Sequence, residues 1–128
     1  MATNERRILY VDATLQDNVT KISLYDRKNN LTNILELLDV TSSAEAEQYA
    51  LVYAILYVVK NNYKRCHILC DNLSATQNKK ILELAKKNKI SISWIPREIN
   101  IIADKIVKLE PTVKVKEWYV LKLFFEIL

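Results

Sequence analysis

The order of apolar runs along this chain predicts an α/β domain. The expected architecture is a five-stranded mixed sheet with helices on both faces, in the order βββαβαβα plus a C-terminal segment. Three observations lead there. Short runs rich in Ile, Leu, Val and Tyr end at polar or turn-forming residues after a strand's length. Longer stretches space their apolar residues as a helix does. The first three apolar runs are joined by connections too short for crossovers, which makes them an antiparallel meander, whereas the later runs are separated by helical stretches that permit parallel pairing.

Arg6 to Ala13 reads as a buried strand, and Val19 to Tyr25 alternates apolar with polar residues as a half-exposed one. The Lys28-Asn29-Asn30 turn leads into a third strand, Leu31 to Val40. A helix follows over Ser43 to Lys60, where Ser42-Ser43-Ala44-Glu45 has the spacing of a capping box. Arg65 to Asp71 is a fourth strand. A second helix is expected over Leu73 to Lys87, with Asn88 ending it in the place glycine usually takes. Ile90 to Ile95 is a fifth strand, Pro96-Arg97 a turn, and Asn100 to Leu109 a third helix. The domain is expected over residues 1–110. Residues 111–128 hold the apolar run Trp118 to Phe125, expected as a helix packed on the domain or as a segment docked on a protein partner, a second copy of the chain included.

Composition excludes several function classes. The 128 residues contain no glycine, so phosphate-binding loops, dinucleotide-binding turns and nucleophile elbows have no residue to build them. A single histidine, His67, leaves serine and cysteine triads without support. Cys66 and Cys70 are four apart in a strand and so share a face. They read as buried, reduced thiols rather than as a zinc site, because His67 points the other way. Reduced thiols, together with the lack of a charged-then-apolar leader and of a membrane-length apolar run, fit a cytoplasmic protein. Nineteen Lys and Arg against 15 acids give a net charge of +4, compatible with a polyanionic partner.

Four carboxylates stand where apolar residues would be expected. Asp12 ends the run Ile8-Leu9-Tyr10-Val11, and Asp71 ends Ile68-Leu69-Cys70. Glu47 shares a helical face with Ala50, Leu51 and Ala54, and Asp104 lies near the stripe containing Ile101 and Val107. Burying one such charge costs several kcal/mol, roughly, unless something neutralises it. Ion pairing to the chain's many cations would serve for one acid. For four, a shared divalent cation, or a pair of them, is the simpler partner. Glu45 lies about 200° around the helix from Glu47 and has a ready place in the cap. Asp12 and Asp71 become neighbours if their strands are adjacent and parallel.

These motifs, in this order, resemble the ribonuclease H family, in its short, histidine-lacking, reverse-transcriptase-like branch. Ile8-Leu9-Tyr10-Val11-Asp12-Ala13-Thr14 is similar to its first-strand motif, Ala46-Glu47-Gln48-Tyr49-Ala50-Leu51 to its helix motif, and Ile68-Leu69-Cys70-Asp71-Asn72 to its fourth-strand motif. Trp94-Ile95-Pro96-Arg97-Glu98-Ile99-Asn100, followed by Ala103-Asp104, is similar to its closing motif. The resemblance covers about residues 6 to 109.

The resemblance implies an endonuclease that cuts the RNA strand of RNA–DNA hybrids. Asp12, Glu47, Asp71 and Asp104 would be both catalytic residues and ligands of two Mg²⁺ ions, with Mn²⁺ as an expected substitute. One ion would activate water and the other would stabilise the leaving 3′ oxygen. Glu47 would also lie near the ribose hydroxyl that distinguishes RNA from DNA. Ala13, Thr14, Asn72 and Arg97 would contact nucleic acid. Ala13 departs from the usual glycine, and no mobile histidine has a counterpart. The basic protruding segment of longer members is missing. Lys79, Lys80, Lys86 and Lys87, which recur at seven-residue spacing, would replace it as a phosphate-binding face, although a solvated helix face has the same composition. Two other functions fit the same residues: a nuclease of this fold acting on DNA or structured RNA, and a non-catalytic nucleic-acid-binding module.

Overall fold

The computed structural model describes residues 7–17, 19–28, 31–38, 42–100 and 113–115. Its elements are β1 (Arg7–Gln16), β2 (Val19–Asp26), β3 (Leu31–Leu38), α1 (Ser43–Lys60), β4 (Cys66–Cys70), α2 (Leu73–Thr76), α3 (Lys79–Lys87), β5 (Ile90–Trp94) and β6 (Val113–Val115). They form one mixed sheet in the order β5-β4-β1-β2-β3-β6. β1, β2 and β3 pair antiparallel, while β4 is parallel to β1 and β5 is parallel to β4.

Among the described residues the sheet has six strands, not the expected five. Val113–Val115 pairs parallel with Leu35–Leu37 at the far edge, so this part of the C-terminal segment is strand and not helix. Alternating Val113 and Val115 suit a short edge strand, whereas the apolar run that suggested a helix begins only at Trp118. That run lies outside the described residues. So do Asp104 and almost all of the expected third helix. Among the described residues α1 touches both α2 and α3, which places the three helices together on one face of the sheet.

α1 is set by its ends. Ser42 Oγ accepts the Glu45 N–H at 3.1 Å, and at the other end Asn62 takes a left-handed φ of 54°. The Tyr63 N–H then reaches Val58 O and the Asn62 N–H reaches Val59 O, a Schellman closure with asparagine in the glycine position. Between these ends Ala50, Leu51, Ala54, Ile55 and Val58 pack on Leu9, Val11, Ile22, Leu24 and Ile68, all buried.

The expected single helix over 73–87 is two. Asn78 breaks it, because its side-chain oxygen accepts the Ile81 N–H and starts a new helix there. The preceding turn tightens, with Gln77 and Asn78 donating to carbonyls three residues back. α3 ends differently from expectation too. Asn88 keeps an ordinary φ of −102° and donates its side-chain N–H to Leu84 O, and the left-handed φ of 59° falls on Lys89.

At the end of the sheet where β1 begins, a buried ion pair closes the core. Arg7 donates to Asp26 at 2.8 Å, Tyr57 donates to the same carboxylate oxygen at 3.2 Å, and the Arg7 guanidinium lies 3.6 Å from the centre of the Tyr63 ring. Arg7 and Tyr57 thus engage the buried Asp26 carboxylate, which gives this acid a structural role. Among the described residues, no helix is long and apolar enough to cross a membrane.

Candidate metal centre

The parallel pairing of β1 and β4 builds the site. Val11 stands level with Cys70, so Asp12 and Asp71 are the next residues at neighbouring positions along two strands running the same way. α1 crosses this end and presents Glu47 from the face that it buries. Asp12, Glu47 and Asp71 each bring a carboxylate oxygen within 4.8 Å of the other two. Asp12 and Glu47 are buried and Asp71 is half-buried.

Backbone and amide donors aim two of these groups. The Ala13 N–H donates to Asp12 Oδ1 at 2.9 Å. Asn100, fully buried, donates from Nδ2 to Asp71 Oδ2 at 3.2 Å and to the Val11 carbonyl at 2.9 Å. One amide thus ties the loop after β5 to both acid-bearing strands. Because both of its partners are acceptors, the nitrogen must face them and the orientation of the amide is fixed.

Glu47 is different. Its Oε2 is buried and has no hydrogen-bond partner. Burial, and then the charges of Asp12 and Asp71, push its carboxyl from 4.5 up to about 8, with Arg97 acting in the opposite direction. A buried carboxylate oxygen without a partner, beside two more acids, is an arrangement that a hard cation completes. The donor set is all oxygen, which suits a hard divalent cation. Cys70, buried just behind, does not join it: burial raises its thiol to about 12, leaving it protonated. Cys66 is likewise buried and free. His67 bonds Ser93 Oγ through Nε2 at 2.7 Å, within the strand pairing of β4 with β5.

The other residues singled out in the sequence take varied places. Ala13 is buried, so what it offers the site is its N–H and not an exposed surface. Thr14 is half-buried. Asn72 is committed as the N-cap of α2, accepting the Ala75 N–H at 2.8 Å. Arg97 is exposed in the turn after β5, and its charge reaches Glu47. Lys79, Lys80, Lys86 and Lys87 are all exposed on α3, opposite buried Ile81, Leu84 and Ala85. Asn100 falls within the closing motif, but no sequence pattern assigned it a role. The signal in the sequence is a polar residue at the start of the expected third helix, which by itself names no partner.

Solved structures with the same architecture include an RNase H1 from the halophilic archaeon Halobacterium salinarum. It aligns over 80% of this chain and 94% of its own, with a TM-score of 0.56 and 16% identity. The chain has a ribonuclease H-like fold. The catalytic core domain of BIV integrase aligns over 79% of this chain and 66% of its own, with a TM-score of 0.53 and 14% identity. A chain of the simian T-cell lymphotropic virus intasome, solved in complex with the PP2A regulatory subunit B56 gamma, aligns over 80% of this chain and 36% of its own, with a TM-score of 0.53 and 17% identity. No protein-family model matches the sequence, and no curated protein does.

Proposed function

We propose that this ribonuclease H-like domain is a metal-dependent endonuclease that hydrolyses the RNA strand of RNA–DNA hybrids. The observation that carries the reading is the convergence of Asp12, Glu47 and Asp71, with one buried oxygen of Glu47 left without a partner. A purely binding module gains nothing from holding three mutually repelling acids together. Asp104 is the proposed fourth member of the set.

Two Mg²⁺ ions, when bound, supply Lewis acidity toward the phosphate and lower the pKa of the attacking water. The chain's own residues do the rest. Asp12 and Asp71 present charge from rigid strand ends, held by the Ala13 N–H and the Asn100 amide. Glu47, whose carboxyl is raised to about 8 by burial and its acidic neighbours, would release its proton to hold a cation, so occupancy and deprotonation would be linked. Arg97 and the α3 lysines offer positive charge for the substrate backbone.

The test is cleavage of matched RNA–DNA hybrid, duplex DNA, duplex RNA and single strands, each with Mg²⁺, Mn²⁺ or EDTA. Cleavage of the hybrid's RNA strand with either metal and not with EDTA supports the reading. Metal-dependent cutting of DNA or structured RNA alone would move the substrate and keep the chemistry. Binding without cleavage of any substrate would make the domain a non-catalytic module.

A further inference from the structure

The described residues include five large apolar side chains that are exposed, and three of them stand close in sequence or by hydrogen bond to Asp71 of the carboxylate cluster. Trp94 is 46% exposed, Leu73 is 52% and Ile99 is 62%. Each is tied by position to Asp71. Trp94 Nε1 donates to the Asp71 carbonyl at 3.1 Å, Leu73 stands two residues after Asp71, and Ile99 precedes Asn100, which bonds the Asp71 carboxylate. Val59 and Leu82, the other two, are on α1 and α3.

Trp94 is the centre of this patch. The bond from the indole nitrogen to a backbone carbonyl orients the ring and leaves one face exposed before any ligand arrives. Apolar surface left open next to a polar site marks a binding region. Every nucleobase has a π-face that such a ring can take, without regard to sequence. That face is available only where the base is not enclosed in a helical stack, at a strand end, a bulge or a single strand. Arg97, exposed in the turn that follows β5 and three residues after Trp94, offers positive charge to a phosphate near such a base.

We propose that Trp94, flanked by Leu73 and Ile99, is a stacking platform for an unpaired nucleobase next to the phosphate that is cut. This rests on the nuclease reading of the carboxylate site and adds to it a substrate class: nucleic acid with at least one unpaired nucleotide beside the scissile bond. Trp94 is bonded to the backbone of Asp71, a member of the carboxylate cluster, so base and phosphate engage together. A fully paired duplex leaves the platform empty.

The experiment measures binding of an RNA–DNA hybrid with one unpaired 2-aminopurine beside the duplex, and of the same hybrid fully paired, to the full chain and to Trp94→Ala and Trp94→Phe variants. Stacking on Trp94 quenches the 2-aminopurine in the wild type. Trp94→Ala should weaken binding of the unpaired probe about tenfold and leave the paired probe unchanged, while Trp94→Phe, which keeps a ring and loses the Nε1 tether, keeps most of the affinity. Mn²⁺ binding to each variant reports whether Asp71 has moved, and it should be unchanged. Equal affinity of wild type and Trp94→Ala for the unpaired probe overturns the platform, as does a Phe variant as weak as the Ala variant. A loss of self-association in Trp94→Ala with oligonucleotide binding intact would assign the patch to a second copy of the chain and overturn it equally. Failure of the nuclease reading looks different. No substrate is then cleaved with any metal, whatever residue stands at position 94.

Discussion

Removing the charge of Glu47 should make the metal-free protein more stable, and increasingly so as pH rises. The folded carboxyl titrates at about 8 against an ordinary 4.5, raised first by burial and then by Asp12 and Asp71. A pKa raised on folding means that the folded state holds its proton more tightly than the unfolded state does. The contribution to stability is therefore fully present below about 4.5 and is lost as pH climbs through about 8. The gap between the two values corresponds to about 5 kcal/mol across that window, as much as the whole stability of some domains. Glu47→Gln has no proton to lose, so its stability lacks this decline. Urea unfolding in EDTA at pH 5, 7 and 9 measures the difference directly. The wild type should fall away from the variant by several kcal/mol between pH 5 and 9, by about 5 at most. Added Mg²⁺ should restore the wild type at high pH and do little for Glu47→Gln. Parallel pH curves for the two proteins would refute the picture of a buried, cation-seeking carboxylate.

Other outcomes follow from the same geometry. Glu47→Gln should lower turnover by orders of magnitude, whereas Glu45→Gln should leave turnover unchanged and cost at most about 1 kcal/mol through the cap; equal kinetic losses in steady-state assays would contradict the assignment of faces on α1. Asn100→Ala removes the donors to Asp71 and Val11, and calorimetric titration should show divalent-cation affinity reduced by about 10- to 100-fold in a protein that circular dichroism shows still folded. Charge reversal of Lys79, Lys80, Lys86 and Lys87 should weaken hybrid binding and flatten its dependence on salt, by about 0.7 to 0.9 in log–log slope for every lysine–phosphate pairing removed, with turnover of saturated substrate little changed. An unaltered salt slope would leave the four lysines as a solvated face.

The sheet and its first helix were legible because their signals are local. Alternation in β2, the apolar run of β1 and the serine cap of α1 each depend on residues next to one another. The convergence of Asp12 with Asp71 needed one further inference, that a helix between two apolar runs permits parallel pairing, and the structure places those strands side by side. What the sequence concealed depends on competition between local bonds. A single helix over 73–87 fits the apolar spacing, yet the Asn78 side chain offers the Ile81 N–H an alternative to the helix carbonyl. Left-handed backbone at Arg65 and Lys89 is not legible at all, since neither residue type favours it and no glycine marks the spot. The part played by Asn100 was hidden for another reason. Its partners Val11 and Asp71 lie 89 and 29 residues away, and no local pattern joins them.

The claim that Asp12, Glu47 and Asp71 hold a divalent cation is tested most directly by titrating Mn²⁺ into the metal-free protein and following bound ion by electron paramagnetic resonance at pH 7. The wild type should bind with release of close to one proton, because Glu47 is protonated at that pH before the ion arrives. Asp71→Asn should bind at least about tenfold more weakly while unfolding at the same or a higher urea concentration in EDTA, since one of the repelling charges is gone. Wild type and Asp71→Asn binding Mn²⁺ equally well, with no proton released by either, would show that these carboxylates do not form a metal centre.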